Sequence, residues 1–233
     1  MSTLSVIARR EIRLALRNRG VLITAFIFAI WFPVMTALGI AAAAGGDAAA
    51  VAGGIAAITL PVGVFMGYIF CSDAFLREKR DGTIETLLCA PVSLQRLWEG
   101  KALGVVVPAY LTTLLAAAVS MGAASALADA PIAAEPLLLL HLAAVVPVWI
   151  AAAAGLIGAA QLALGMRENQ ILGFAFIFGF IFLIGGLQAV LSGGSGISAT
   201  AEAVLAVVGL AFLALARFIA GKVTKERIVR TIP

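Results

Sequence analysis

Charge is what this sequence has least of. Asp, Glu, Lys and Arg make up only 12% of its 233 residues, where a soluble domain carries roughly a quarter. With 63% hydrophobic residues and a mean hydropathy of +1.11, a soluble globular fold is excluded. Histidine is nearly absent too. The one present, His141, has no Ser or Cys nucleophile in a recognisable frame and no carboxylate in its own apolar run. It reads as a packing residue, and no catalytic residue is assigned. The two cysteines, Cys71 and Cys89, lack histidine neighbours, so no metal site is expected. Both fall near the basic side of the chain, where no disulfide is expected. The glycine clusters lack the Lys-Ser/Thr of a phosphate-binding loop, so the chain should not hydrolyse ATP itself. No ionisable residue falls at the middle of an apolar run, which disfavours a proton relay.

What is there is apolar length. Uninterrupted runs predict six spanning helices over about residues 20–44, 48–73, 102–128, 137–165, 171–191 and 203–221. Crossing ~30 Å of hydrocarbon takes ~20 helical residues. The runs are uniformly apolar and do not alternate, so a barrel is excluded. The fold class is therefore an all-α polytopic membrane protein forming a single transmembrane domain over residues 1–233. All 16 basic residues lie in the N-terminal segment, the stretch after the second span, the turn after the fourth, and the tail over residues 222–233 with the end of the sixth span just before it. The positive-inside rule puts these, and both termini, in the cytoplasm, with the plasma (inner) membrane as the site. The net charge of +4 is thus a topology signal. Nucleic-acid binding is not its meaning, and the lipid bilayer is the first partner.

Residues 1–19 read as an amphipathic interfacial helix. Leu4, Ile7, Ala8, Ile12 and Ala15 share one face, and Arg9, Arg10, Arg13 and Arg17 the other, the pattern of a helix lying in the headgroup layer. Glu11 breaks the pattern by falling within the apolar face. No base lies three or four residues away, so it either takes a basic partner from the central loop or reaches headgroup water.

That central loop, residues 75–100, is the longest polar stretch. Asp81-Gly82 signals a turn and Thr83 can cap a short helix behind it. Ile84, Leu87 and Leu88 form one apolar stripe, and Pro91 stops the helix. A helix this short is unstable alone in water. It needs the membrane helices on its stripe and a cytoplasmic partner on its polar side, at Glu85 and Thr86. Ser93 can then cap a helix running through Trp98 and Lys101 into the third span. In the fourth and fifth spans, His141 lies near the outer end of one, and Phe174, Phe176, Phe178, Phe180 and Phe182 crowd the other.

Glu78, Gly82-Thr83-Ile84-Glu85, Leu87-Leu88, Pro91 and Lys101 resemble the signature found after the second span in membrane permeases of the type-two ABC exporter class (ABC-2 type transporters). Arg10-Glu11, ahead of the first span, resembles that family as well. The resemblance covers the whole chain in topology. It implies a permease forming half of a translocation path, paired with a second copy of itself or a homologous permease, and bound to two copies of an ABC ATPase subunit. ATP and Mg would sit in that partner, with no cofactor bound by this chain. The short helix would be the coupling helix, carried by Glu78, Gly82, Thr83, Glu85, Thr86, Leu87, Leu88 and Pro91. Beside it, Arg10 and Glu11 would make the connecting-helix contact. The family's path, lined chiefly by second and fifth spans, maps onto Tyr68, Phe174 and Phe178. Within the same class, the haem-exporter B-type subunits of cytochrome c maturation are an alternative. They share length and span count, while the basic tail Lys222 to Arg230 fits them less well. A non-transport membrane enzyme or assembly protein is the other alternative.

Overall fold

A computed structural model describes residues 3–44, 47–89, 91–127, 135–192 and 197–229. The outer turn expected at Gly45-Gly46, the outer loop at Asp129 to Pro131, the link at residues 193–196 and the tail end from Arg230 lie outside the described residues. So do the side chains of Glu85, Leu87 and Leu88. The described chain is helical throughout, with no strand. Six of its helices are long and apolar enough to cross a membrane.

Helix α1 spans Thr3–Arg17 and α2 Arg19–Ala44. Asn18 separates them, its Oδ1 accepting from the Val21 amide at 3.4 Å. Helix α3 (Ala48–Arg80) opens on Asp47, whose carboxylate accepts from the Ala49 amide at 3.0 Å. It continues past the end of the apolar run, so Phe75 to Arg80 belong to the second spanning helix. The loop proper is only the turn after Asp81, the short helix α4 (Ile84–Cys89) and the break at Pro91. Helix α5 (Leu94–Leu127) starts behind Ser93, whose hydroxyl accepts from the Arg96 amide at 3.3 Å.

The fourth span is made of α6 (Pro136–Leu140), a π-helical turn at His141–Val145, and α7 (Val146–Ala163). Helix α8 runs from Met166 to Ser192, α9 from Ala199 to Lys222, and α10 from Lys225 to Val229. Pro33, Pro61 and Pro108 sit inside unbroken helices.

Lipid gives helices no hydrophobic reason to associate, so close packing and polar contacts must hold the bundle. Helix α7 is built for that. Ala152, Ala153, Ala154, Gly155, Gly158 and Ala159 are all buried, which lets α3, α5 and α9 approach its backbone. Two tryptophans tie the same core. Trp98 donates to the Gly155 carbonyl at 3.1 Å, and Trp149 to the Leu205 carbonyl at 2.9 Å. Helices α2 and α8 form the rim. Phe174 and Phe178 are 58% and 55% exposed there, on the outside of the bundle, while Tyr68 packs against Gly173.

Candidate functional site

One end of the bundle collects nearly all of its ionic chemistry. Glu11 sits on the face of α1 that lies along α5, where Gly100 and Gly104 are spaced one helical turn apart. A Cβ at Gly100 would stand 2.7 Å from Ile7 Cγ2, and one at Gly104 would stand 2.5 Å from Glu11 Cβ. The two glycines therefore form the seat into which α1 fits, and they bring Glu11 over Lys101.

Lys101 is the hub. Its ammonium lies 2.8 Å from Glu78 Oε2 and 3.3 Å from Glu11 Oε1, and donates to the Ala74 carbonyl at 2.8 Å. All three side chains are out of solvent: Glu11 is 2% exposed, Glu78 3% and Lys101 0%. Arg10 bridges the two carboxylates from the rim, 3.0 Å from each. Arg77 reaches Glu11 at 3.5 Å and Asp73 at 2.8 Å, and Asp73 accepts from Asn18 Nδ2 at 2.8 Å. Three carboxylates thus meet three bases across α1, α3 and α5, and the cluster is neutral. A buried charge is tolerated only when paired and hydrogen-bonded, and here each one is.

Helix α4 hangs directly outside this lock. The Asp81 amide closes α3 by donating to the Arg77 carbonyl at 2.8 Å. Gly82 comes next, in the left-handed region at φ +68°, which only glycine adopts at no cost. The Thr83 hydroxyl turns back to the Glu78 carbonyl at 3.5 Å instead of capping α4. Ile84 is buried in the core, whereas Gly82, Thr83, Thr86, Cys89 and Pro91 are exposed. The structure therefore brings Arg10, Glu11 and Glu78 into one cluster with Lys101. It places Gly82, Thr83, Thr86 and Pro91 together on the outer surface, and leaves Tyr68, Phe174 and Phe178 apart from both.

Several residues were not legible in advance. Lys79 is buried and donates to the Leu162 and Leu164 carbonyls at 2.9 and 2.7 Å, satisfying the open C-terminal end of α7. Asp73 and Arg77 read only as the edge of a loop. The two cysteines differ sharply: Cys71 is buried with Sγ 3.4 Å from the Ala154 carbonyl, and Cys89 is exposed at the end of α4.

At the opposite end, His141 finds the carboxylate its own span lacks. Its Nδ1 lies 2.8 Å from Glu202 Oε2 of α9, both residues buried. The sequence does not mark this pair, because Asp129 and Glu135 also flank the outer ends of apolar runs. Glu202→Ala should leave the imidazole without that partner and cost about 1–3 kcal/mol. Glu202→Gln, which keeps a hydrogen-bonding group there, should cost clearly less. Thermal unfolding of the detergent-solubilised protein compares the two directly.

Among the described residues, no group of three or more His, Cys, Asp or Glu side chains could hold a metal ion. The architecture is that of a multi-pass membrane protein, with six helices long and apolar enough to span and the described buried ion pairs at the helix ends. A family model described as CcmB protein matches residues 1–226, and the chain belongs to that family. It is the membrane permease of an ABC-type transporter, a subunit that works with an ATPase partner. No curated protein matches the chain. The matched region ends at residue 226, so it takes in Lys222 and Lys225 of the basic tail and stops short of Arg227 and Arg230. The match agrees with the ABC permease reading of the sequence and with its haem-exporter B-type alternative, and it does not single out the type-two class.

Proposed function

We propose that the chain is the membrane subunit of an ABC-type haem exporter, with its basic end in the cytoplasm and α4 seated on the ATPase as a coupling helix. The carrying observation is the position of α4 between the ends of α3 and α5, immediately outside a buried ionic lock that ties both helices to α1. A push on α4 is then delivered to two spanning helices together. Without the lock, it would be absorbed by bending the turn at Asp81-Gly82.

In this reading the exposed Gly82, Thr83, Thr86 and Pro91 meet the ATPase. Glu78, Glu11 and Arg10 hold the lever to the bundle. Two such permeases pair and two ATPase subunits bind them, with ATP hydrolysed in the partner. The family supports haem as the cargo. Tyr68, Phe174 and Phe178 lie on or beside the rim helix α8, where a second permease would complete a path.

Gly82→Pro tests the lever. Proline fixes φ near −65°, opposite in sign to the +68° found, so the turn must reopen and α4 must leave its seat. The expected result is a correctly inserted protein that binds its ATPase about thirtyfold more weakly, the loss typical of a removed interface hot spot of ~2 kcal/mol, and that exports no haem from loaded vesicles. Wild-type ATPase binding and export by this variant would overturn the coupling role.

A further inference from the structure

At the basic end, on the side away from α1, a groove of about 670 Å³ runs between α7, α8 and α9. Its floor is small-residue backbone, with Ala159, Ala163 and Gly179 among its lining. Its inner end is closed by aromatic rings: Phe180 and Phe212 meet at 5.6 Å, and both lean on Trp149. Its outer end carries Lys222 and Arg227.

Three properties of this groove agree. The first is length. From Phe212 to Lys222 along α9 is ten residues, about 15 Å of helix, or half of the ~30 Å hydrocarbon core. The groove is as deep as one leaflet. The second is access. Its walls include Leu172, Leu183, Leu215 and Ile219, which are 38–44% exposed on the outside of the bundle. In a chain whose helices span a membrane, that outside is lipid. The third is charge. Lys222 stacks over Phe218 at 5.3 Å, and Arg227 donates through Nε to the Ala163 carbonyl at 3.4 Å. Among the described residues, no carboxylate forms an ion pair with either. Two uncompensated cations thus stand where the headgroups of that leaflet lie, above a channel that fits hydrocarbon.

We infer that this groove is a binding site for an anionic phospholipid of the leaflet on the basic side. An acyl chain lies along Ala160, Ala163 and Gly179, and the phosphate is held by Lys222 and Arg227. The lipid would close the gap between α8 and α9, so its headgroup charge would help set how the rim helix α8 stands against the core. Such a lipid site is independent of the cargo and of the coupling role of α4.

Two variants separate the headgroup from the chain. Lys222→Gln with Arg227→Gln removes the charge and leaves the groove. Gly179→Leu fills the groove and leaves the charge; an added Cβ there meets nothing within 4 Å, and the unfolding midpoint checks that the fold is kept. The full chain with its ATPase partner is placed in nanodiscs of phosphatidylcholine containing a minor fraction of phosphatidylglycerol. Lipid retained after detergent extraction is then counted by native mass spectrometry.

Wild type should retain phosphatidylglycerol in preference to phosphatidylcholine. The double glutamine variant should lose that preference by about thirtyfold, roughly fivefold for each basic residue removed. Gly179→Leu should lose retention of both lipids at an unchanged unfolding midpoint. Equal retention of the two lipids by wild type would overturn the headgroup assignment. Undiminished phosphatidylglycerol retention in both variants would overturn the site. A groove that holds no lipid, but whose filling stops transport, would make it a cargo groove and overturn the inference as well.

Discussion

Lys101→Met should be among the most damaging single substitutions in the chain, costing about 3–5 kcal/mol of stability. The ammonium serves Glu78, Glu11 and the Ala74 carbonyl at once, at 2.8 to 3.3 Å and out of contact with water. Methionine matches its length but leaves two buried carboxylates facing each other, with only the rim bases Arg10 and Arg77 to hold them. Most of the cost is that stranded charge and little of it is lost packing. Adding Glu78→Gln to Lys101→Met should therefore restore a substantial part of the unfolding midpoint in detergent. A double variant no more stable than the single one would show that charge imbalance is not the cause.

Gly104→Val should be nearly as severe by a different route. Its Cβ would stand 2.5 Å from Glu11 Cβ and 3.1 Å from the Ala8 carbonyl oxygen. Neither neighbour is the free end of a flexible side chain, so α1 must move off α5 as a body. Overpacking alone costs about 1–3 kcal/mol. Because the displaced helix carries Glu11 away from Lys101, the loss should approach that of breaking the ion lock. Limited proteolysis reads it as early cleavage within residues 3–17. Gly122→Ala, on the same helix with nothing within 4 Å of the new Cβ, is the control. It should be neutral, or stabilising by up to ~1 kcal/mol through helix propensity. Equal protease resistance in Gly104→Val and wild type would mean that α1 is not seated on α5.

How much of this could be read from the residues depends on whether their reasons are local. The six spanning helices come from runs of apolar residues, and the structure has helices long enough over each run. Where those helices end is another matter. Arg77 and Lys79 look like loop charges in a linear reading. Each is instead absorbed by a partner from elsewhere in the fold, so α3 extends well beyond its apolar segment, whereas the helix from Ser93 through Lys101 was legible from its cap. Glu11 could be singled out because an acid on an apolar face is a local contradiction. Its partners could be narrowed only to the basic residues of a long segment. His141 and Glu202 are 61 positions apart, and nothing in either neighbourhood points to the other. Their meeting is a product of α7 packing on α9, which rests on Ala and Gly spacing too common to choose a partner helix.

The contrast between the two sulfurs makes the natural chain its own fluorescence probe. A maleimide dye offered to intact protein has one accessible thiol to take, and it lies on the short helix proposed to touch the ATPase, while the other is sealed in the bundle. Labelling speed at Cys89, tracked as nucleotide is added and withdrawn, would time the engagement of the motor subunit without a single engineered residue.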